Sequence, residues 1–224
     1  MPIILNIDTA TENASICVMK DGKMAAYAHH QQQKEHASFV HKSIIDILHT
    51  SGISISDVDA FAVTSGPGSY TGLRVGVSTA KGFCYALSKP LIFINTLEVM
   101  TAAAIEKMEL EKSELLFCPM IDARRMEVFT AIYDFELNEV LSPKALLLEE
   151  DSFSTFNNNK EIIFFGSGSS KYKKLKKNDT VRLEQINYSA IDVGKLAEIA
   201  FEKNNFVVLG YSEPAYFKEF YTVN

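Results

Sequence analysis

Apolar positions at the start of the chain alternate instead of recurring at helical spacing. Pro2 to Asp8 reads as a strand, Thr9 to Asn13 as a turn and Ala14 to Lys20 as a second, alternating strand. Asp21-Gly22 then turns tightly and Lys23 to His30 returns, which predicts a three-stranded meander. The period changes at Glu35. From there to Thr50, Val40, Ile44, Ile47 and Leu48 form one apolar stripe at helical spacing, while His41, Ile45 and His49 form another. Ser51-Gly52 supplies the stop. A helix with two such stripes is expected to touch its own sheet and something else.

Ala60 to Val63 reads as a buried strand and leads into Ser65-Gly66-Pro67-Gly68-Ser69-Tyr70-Thr71-Gly72-Leu73-Arg74-Val75-Gly76-Val77-Ser78-Thr79-Ala80-Lys81-Gly82. No helix passes through Gly-Pro-Gly, and Ser69 or Thr71 can cap a helix that follows it. Four readings meet here. A phosphate-cradling P-loop fails on spacing, because Leu73 and Arg74 stand where Lys and Ser/Thr belong after Gly72. A dinucleotide fingerprint fits Gly66 and Gly68, but its third glycine would fall at Thr71. In the third reading Gly72, Gly76 and Ala80 recur every four residues and clear a helix face for a partner's backbone. In the fourth the same face packs inside its own domain. Leu73, Val77, Cys84 and Leu87 line a neighbouring face directed at the sheet.

Lys89-Pro90 ends that helix, Leu91 to Ile94 is a short buried strand, and Asn95 or Thr96 caps a helix running to about Met108. A charged connector, Glu106 to Glu114, marks the expected boundary between lobes at 1–108 and 109–224. Beyond it, Phe117 to Arg124 echoes Ile3 to Ala10: a strand, an Asp turn, then further strands over Glu127 to Tyr133 and Glu139 to Leu148. Glu149 to Phe156 reads as a short helix, Glu161 to Phe165 as a buried strand, and Tyr188 to Asn204 as a helix before an aromatic tail around Pro214. The Asp turns resemble nucleotide-binding Asp-x-Gly loops, yet Ala10 and Arg124 replace the glycine that lets backbone N–H groups reach a phosphate. Asp8 is thus a remnant of a nucleotide scaffold or a cap on its own turn. Arg124 and Arg125 could meet an anion or a partner's carboxylate, or simply lie in a solvated turn.

A net charge of −6 argues against a protein that grips nucleic acid alone. Lys171, Lys173, Lys174, Lys176 and Lys177 oppose that sign and form the one RNA-facing patch to expect, against the alternative of a solvated helix face. Cys17, Cys84 and Cys118 stand singly among apolar neighbours, as expected of reduced core thiols. His36 and His41 are five apart, roughly 140° round a helix, so they do not form a helical ligand pair, and no metal site is expected. No apolar run approaches the ~18 residues of a membrane span, and a cytoplasmic location is expected.

The run from Ser65 to Gly82 resembles the signature of the bacterial TsaB family, also called YeaZ. Ile7-Asp8-Thr9-Ala10-Thr11, the helix from His36, Asp122-Ala123-Arg124 and Pro214-Ala215-Tyr216 extend the likeness, with Tyr70 where the family usually has Phe. The resemblance implies a two-lobed α/β actin/hexokinase/heat-shock-protein-like ATPase fold with duplicated ribonuclease H-like lobes. It implies a subunit without a catalytic, cofactor or metal site of its own, serving tRNA threonylcarbamoyladenosine formation. Partners would be TsaD, which carries the chemistry, and the ATPase TsaE, with a homodimer when alone and tRNA met only through the complex. The partner-facing residues would be His41, Ile45, His49, Gly72, Gly76 and Ala80. Two rivals from another class remain: a metal-dependent glycoprotease-like peptidase, and a small-molecule kinase using the Asp turns.

Overall fold

A computed structural model describes residues 2–31, 35–108, 115–156, 161–176 and 182–218. It divides into two compact units, one running to Val99 and taking in Tyr188–Ala215, the other comprising Met100–Asn187 and the tail from Tyr216. The expected cut after residue 108 is displaced. It falls inside the helix Thr96–Lys107, and the segment from Tyr188 returns to the first unit. That return has a physical cause: Val193, Leu196, Ala197 and Ala200 give the late helix an apolar face, which packs on the first sheet.

In the first unit β1 (Ile3–Asp8), β2 (Ala14–Lys20), β3 (Lys23–His30), β4 (Ala60–Gly66) and β5 (Leu91–Asn95) form a sheet of order β3-β2-β1-β4-β5. β1 runs antiparallel to β2 and parallel to β4. Strand alternation decides which face each helix covers. Leu5, Ile7, Ile16 and Val18 point into one core with α1 (His36–Ser51) and α2 (Tyr70–Leu87), through Val40, Ile44, Val77 and Ala80. Cys17 and Met19 point to the other face. There α5 (Ala190–Glu202) lies so close that a Cβ on Gly194 would sit 2.5 Å from Met19 Cγ.

After α3 (Thr96–Lys107), the second unit repeats the plan. β6 (Leu116–Asp122), β7 (Glu127–Tyr133), β8 (Glu139–Leu147), β9 (Ile162–Phe165) and β10 (Arg182–Glu184) stand in the order β10-β9-β6-β7-β8. Taken from the other edge, this is the first sheet's order, so the internal repeat in the sequence is a repeat of topology. α4 (Ser169–Lys176) follows β9, where Tyr172 is wedged between the Phe153 and Phe164 rings. Two elements differ from expectation. The helix expected at 149–156 is only a short 3-10 turn, Ser154–Phe156, and β10 has too few residues to show an alternating pattern.

Candidate functional site

The first Asp turn and the glycine-rich loop meet, and their contacts decide between the readings of Gly72, Gly76 and Ala80. The Ser69 backbone N–H donates to the Ala10 carbonyl at 2.6 Å, and the Thr9 hydroxyl donates to the Gly72 carbonyl at 2.7 Å. A Cβ on Gly72 would stand 2.1 Å from Thr9 O, and one on Gly76 would stand 2.4 Å from Thr9 Oγ1 and 3.2 Å from Val63 Cγ2. Ala80 is fully buried in the core with Val77. These three residues therefore face the chain's own sheet, so the expectation that they meet a partner is corrected. The glycines bring α2 onto the β1 turn, where the Ser69 N–H and the Gly72 carbonyl are bonded within the fold. Gly66, at φ +118° as the last residue of β4, allows Ala215 to approach, and the Ala215 N–H donates to Ser65 O at 2.7 Å. The segment that ends at Ala215 thus docks on its own unit.

Asp8 is buried at the end of β1 and accepts from the Thr64 hydroxyl at 2.8 Å and from the Ala10 N–H at 3.2 Å. It caps its own turn. Burial raises its pKa from 3.8 to about 6; the two hydrogen bonds oppose the rise, while the Asp192 charge adds to it. Tyr188 is half-buried with its hydroxyl out of solvent, and its phenol is pushed well above the ordinary value by desolvation and the Asp8 charge. Sequence reasoning missed Thr64, Asp192 and Tyr188, because they come from elements far along the chain.

Since the folded state raises this carboxyl's pKa, it disfavours the ionised form. The resulting cost is absent below about pH 4 and grows as pH rises through 6. Asp8→Asn keeps an oxygen for both donors and removes the charge. It is expected to raise stability at pH 7.5 by on the order of 3 kcal/mol and to flatten the pH dependence between 4 and 6. Urea titrations across that range check this; an unchanged pH slope would contradict it.

His36 does not converge with His41 and His49. The His36 ring is buried and its Nε2 lies 3.1 Å from the Glu12 carbonyl, whereas His41 and His49 are exposed. Among the described residues no group of three or more His, Cys, Asp or Glu side chains could hold a metal ion. Cys17, Cys84 and Cys118 are free and buried, and burial pushes each thiol up to about 12. These are poor nucleophiles.

What α1 and α2 leave outward is different. His41, Ile45 and His49 are exposed along α1, with Ile45 at 69 %. Along α2 the exposed residues are Thr71, Arg74, Ser78, Gly82, Tyr85 and Ala86, with Tyr85 at 83 %. No heavy atom lies within 4 Å of where a Gly82 Cβ would be. Ser78, Gly82 and Ala86 form an outward stripe of small residues at four-residue spacing, half a turn from the buried one. The two helices touch each other and cover the same sheet face, so both stripes look away from the sheet on one surface. Arg74 is braced over the Tyr70 ring at 4.0 Å.

In the second unit the turn after β6 is open. Arg124 and Arg125 are exposed and both adopt positive φ, 66° and 49°. The Arg124 N–H donates to Asp122 Oδ1, as does the Lys171 ammonium at 2.7 Å. Partial burial would raise the Asp122 pKa, but these two donors win and hold it below the ordinary carboxylate value. Lys173 and Lys174 are exposed on α4; Lys177, also expected in this patch, lies outside the described residues.

The family model described as TsaD, tRNA N6-adenosine threonylcarbamoyltransferase, matches residues 25–216. The tRNA threonylcarbamoyladenosine biosynthesis protein TsaB of Escherichia coli (strain K12) is 31% identical over 96% of this chain and 94% of that protein. The chain belongs to this family, among its TsaB (YeaZ) members. YeaZ from Pseudomonas aeruginosa superimposes with a TM-score of 0.84 at 24% identity, covering 96% of this chain and all of that one, so the two share a fold. That fold is the actin/hexokinase-like α/β arrangement, with the sheet order present twice. A tRNA N6-adenosine threonylcarbamoyltransferase from Ehrlichia canis (strain Jake) is 32% identical over 43% of this chain and 32% of its own length. No helix among the described residues is long and apolar enough to cross a membrane. TsaB proteins are named for a place in a biosynthesis.

Proposed function

We propose that this chain is a non-catalytic, cytoplasmic subunit of the tRNA threonylcarbamoyladenosine system that binds TsaD through the outer faces of α1 and α2. It holds TsaD in the arrangement that transfers a threonylcarbamoyl group to the adenosine beside the anticodon. The observation that carries the reading is the contrast within the first unit: the phosphate-loop position is closed by Thr9, Ala10, Ser69 and Gly72, while the helical surface carrying Ile45, Gly82 and Tyr85 is open. A closed loop supports no ATP chemistry, and an exposed isoleucine and tyrosine beside a small-residue stripe suit close helix–helix contact. The same surface would pair two copies of the chain when TsaD is absent. TsaE completes the assembly, and tRNA is met within it.

The test is reconstitution. Purified TsaD and TsaE with tRNA, ATP, threonine, bicarbonate and the enzyme that forms threonylcarbamoyl-adenylate should modify the adenosine only when this chain is added. Equal turnover without it would refute the subunit role. Micromolar ATP binding by the isolated chain, read by calorimetry, would instead favour the kinase reading, and chelator-sensitive cleavage of denatured protein would favour the peptidase.

A further inference from the structure

The sequence presents an Arg-Arg turn and a lysine-rich helix as separate features, but the second unit brings them together. α4, Ser-Ser-Lys-Tyr-Lys-Lys-Leu-Lys, has four lysines and no acidic residue. Tyr172 is 1 % exposed and Leu175 packs on the same core, which fixes the helix's rotation. Lys173 and Lys174 follow Tyr172 by roughly 100° and 200° and so project into solvent. Lys171 turns back instead, to Asp122 Oδ1 and to the Glu127 carbonyl at 3.0 Å. Because Asp122 Oδ1 also accepts from the Arg124 N–H at 2.6 Å, one carboxylate oxygen ties the Arg-Arg turn to the first turn of α4.

Two details make this more than a solvated patch. Arg124 and Arg125 are adjacent non-glycine residues in the left-handed region, a conformation costing on the order of 1 kcal/mol or more per residue, held by the Glu127 N–H to Arg124 O bond at 3.1 Å. The nearby carboxylates are also taken, Asp122 by Lys171 and Glu127 by Lys218. Arg124, Arg125, Lys173 and Lys174 therefore make no ion pair among the described residues. Four uncompensated cations on a chain of net charge −6 are a local reversal of sign. Guanidinium groups fit phosphate oxygens bidentately, and lysines add point charges along a backbone.

We propose that the Arg124–Arg125 turn and the outward lysines of α4 form a phosphate-backbone contact for tRNA. The inference rests on the subunit reading, since the chain's overall charge requires the assembly to hold the RNA. It adds the substrate contact that the second unit makes. Recognition is of backbone charge, without base specificity.

The chain is assembled with TsaD and TsaE, and tRNA affinity is measured by fluorescence anisotropy over a salt series. Arg124→Glu/Arg125→Glu and Lys173→Glu/Lys174→Glu are each expected to raise Kd about tenfold, with TsaD capture unchanged on gel filtration. Arg124→Ala/Lys174→Ala should lower the slope of log affinity against log salt by roughly one for each cation removed. Lys20→Glu/Lys23→Glu, exposed on the first unit, makes the same change in net charge and should leave Kd within about twofold. Unchanged affinity and slope in the Arg and Lys variants, with TsaD still captured, overturn the RNA contact and leave the subunit reading standing. An equal loss in the Lys20/Lys23 control, or loss of TsaD or TsaE capture in the Arg and Lys variants, also overturns it. A wild-type chain that fails to capture TsaD defeats the subunit reading and the RNA contact with it.

Discussion

Gly76→Leu is expected to prevent the first unit from folding, where a partner-facing glycine would have tolerated the change. A single Cβ there would lie 2.4 Å from Thr9 Oγ1, with Val63 Cγ2 at 3.2 Å and Ile7 Cγ2 at 3.5 Å. Leucine adds three more carbons in that direction. The Thr9 hydroxyl cannot swing away freely, because it donates to the Gly72 carbonyl within the same turn. Either α2 lifts from β1 and β4 or the Asp8 turn breaks, and both expose core that includes Val77 and Ala80. Extra methylenes in a filled core cost about 1–3 kcal/mol, and a whole leucine side chain whose first carbon already overlaps Thr9 Oγ1 exceeds that range. Since a domain of this kind has only about 5–15 kcal/mol to lose, the variant should express poorly and lose its cooperative thermal transition. A well-folded Gly76→Leu monomer, with a melting temperature near that of the parent, would show that α2 is rotated from the position described.

Much of this was legible in the sequence, and the parts that were not share a cause. The meander, the two long helices and the repeated strand-and-Asp-turn are local patterns, set by alternation and by Gly and Pro punctuation within a few residues. The small-residue stripe at Gly72, Gly76 and Ala80 was legible as a cleared face, but the sequence could not say toward what. The answer depends on Thr9 and Val63, which approach only after β1 and β4 pair. The stripe at Ser78, Gly82 and Ala86, half a turn away, has the same spacing and only the fold distinguishes them. Burial of Asp8 is likewise non-local, needing Thr64 from β4 and Tyr188 and Asp192 from the end of the chain. The same long-range return of residues 188–215 displaced the expected lobe boundary.

The two Asp turns sit at the same place in the repeated sheet order but differ in what covers them. In the first unit the turn after β1 is sealed, because Gly68 and Gly72 let the loop lie against the backbone of Thr9 and Ala10. In the second unit Gly168 packs against Met120 and Val128 beneath the turn, leaving Arg124 and Arg125 in solvent. The first turn braces the start of α2.

Gly82→Leu and Ile45→Glu should do the reverse of Gly76→Leu: leave the fold intact and abolish capture of TsaD. At Gly82 the side chain would enter open space, and a residue of better helix propensity replaces glycine in the middle of α2, so stability should hold or rise by up to about 1 kcal/mol. Ile45 is 69 % exposed, and its change to glutamate touches no core residue, so the effect on folding should stay within about 0.5 kcal/mol. Docking is another matter. If the outer faces of α1 and α2 close on a partner's helices, leucine at position 82 holds the backbones apart, and glutamate at 45 buries an unpaired charge beside the apolar contact. Each should weaken TsaD binding by a hundredfold or more, equivalent to about 2.7 kcal/mol, and stop tRNA modification in the reconstituted system to the same degree. Calorimetric titration of TsaD into each variant, alongside its thermal melt, separates the two effects. Wild-type affinity in both variants would place the TsaD contact elsewhere on the chain, while their intact melts would exclude misfolding as the reason.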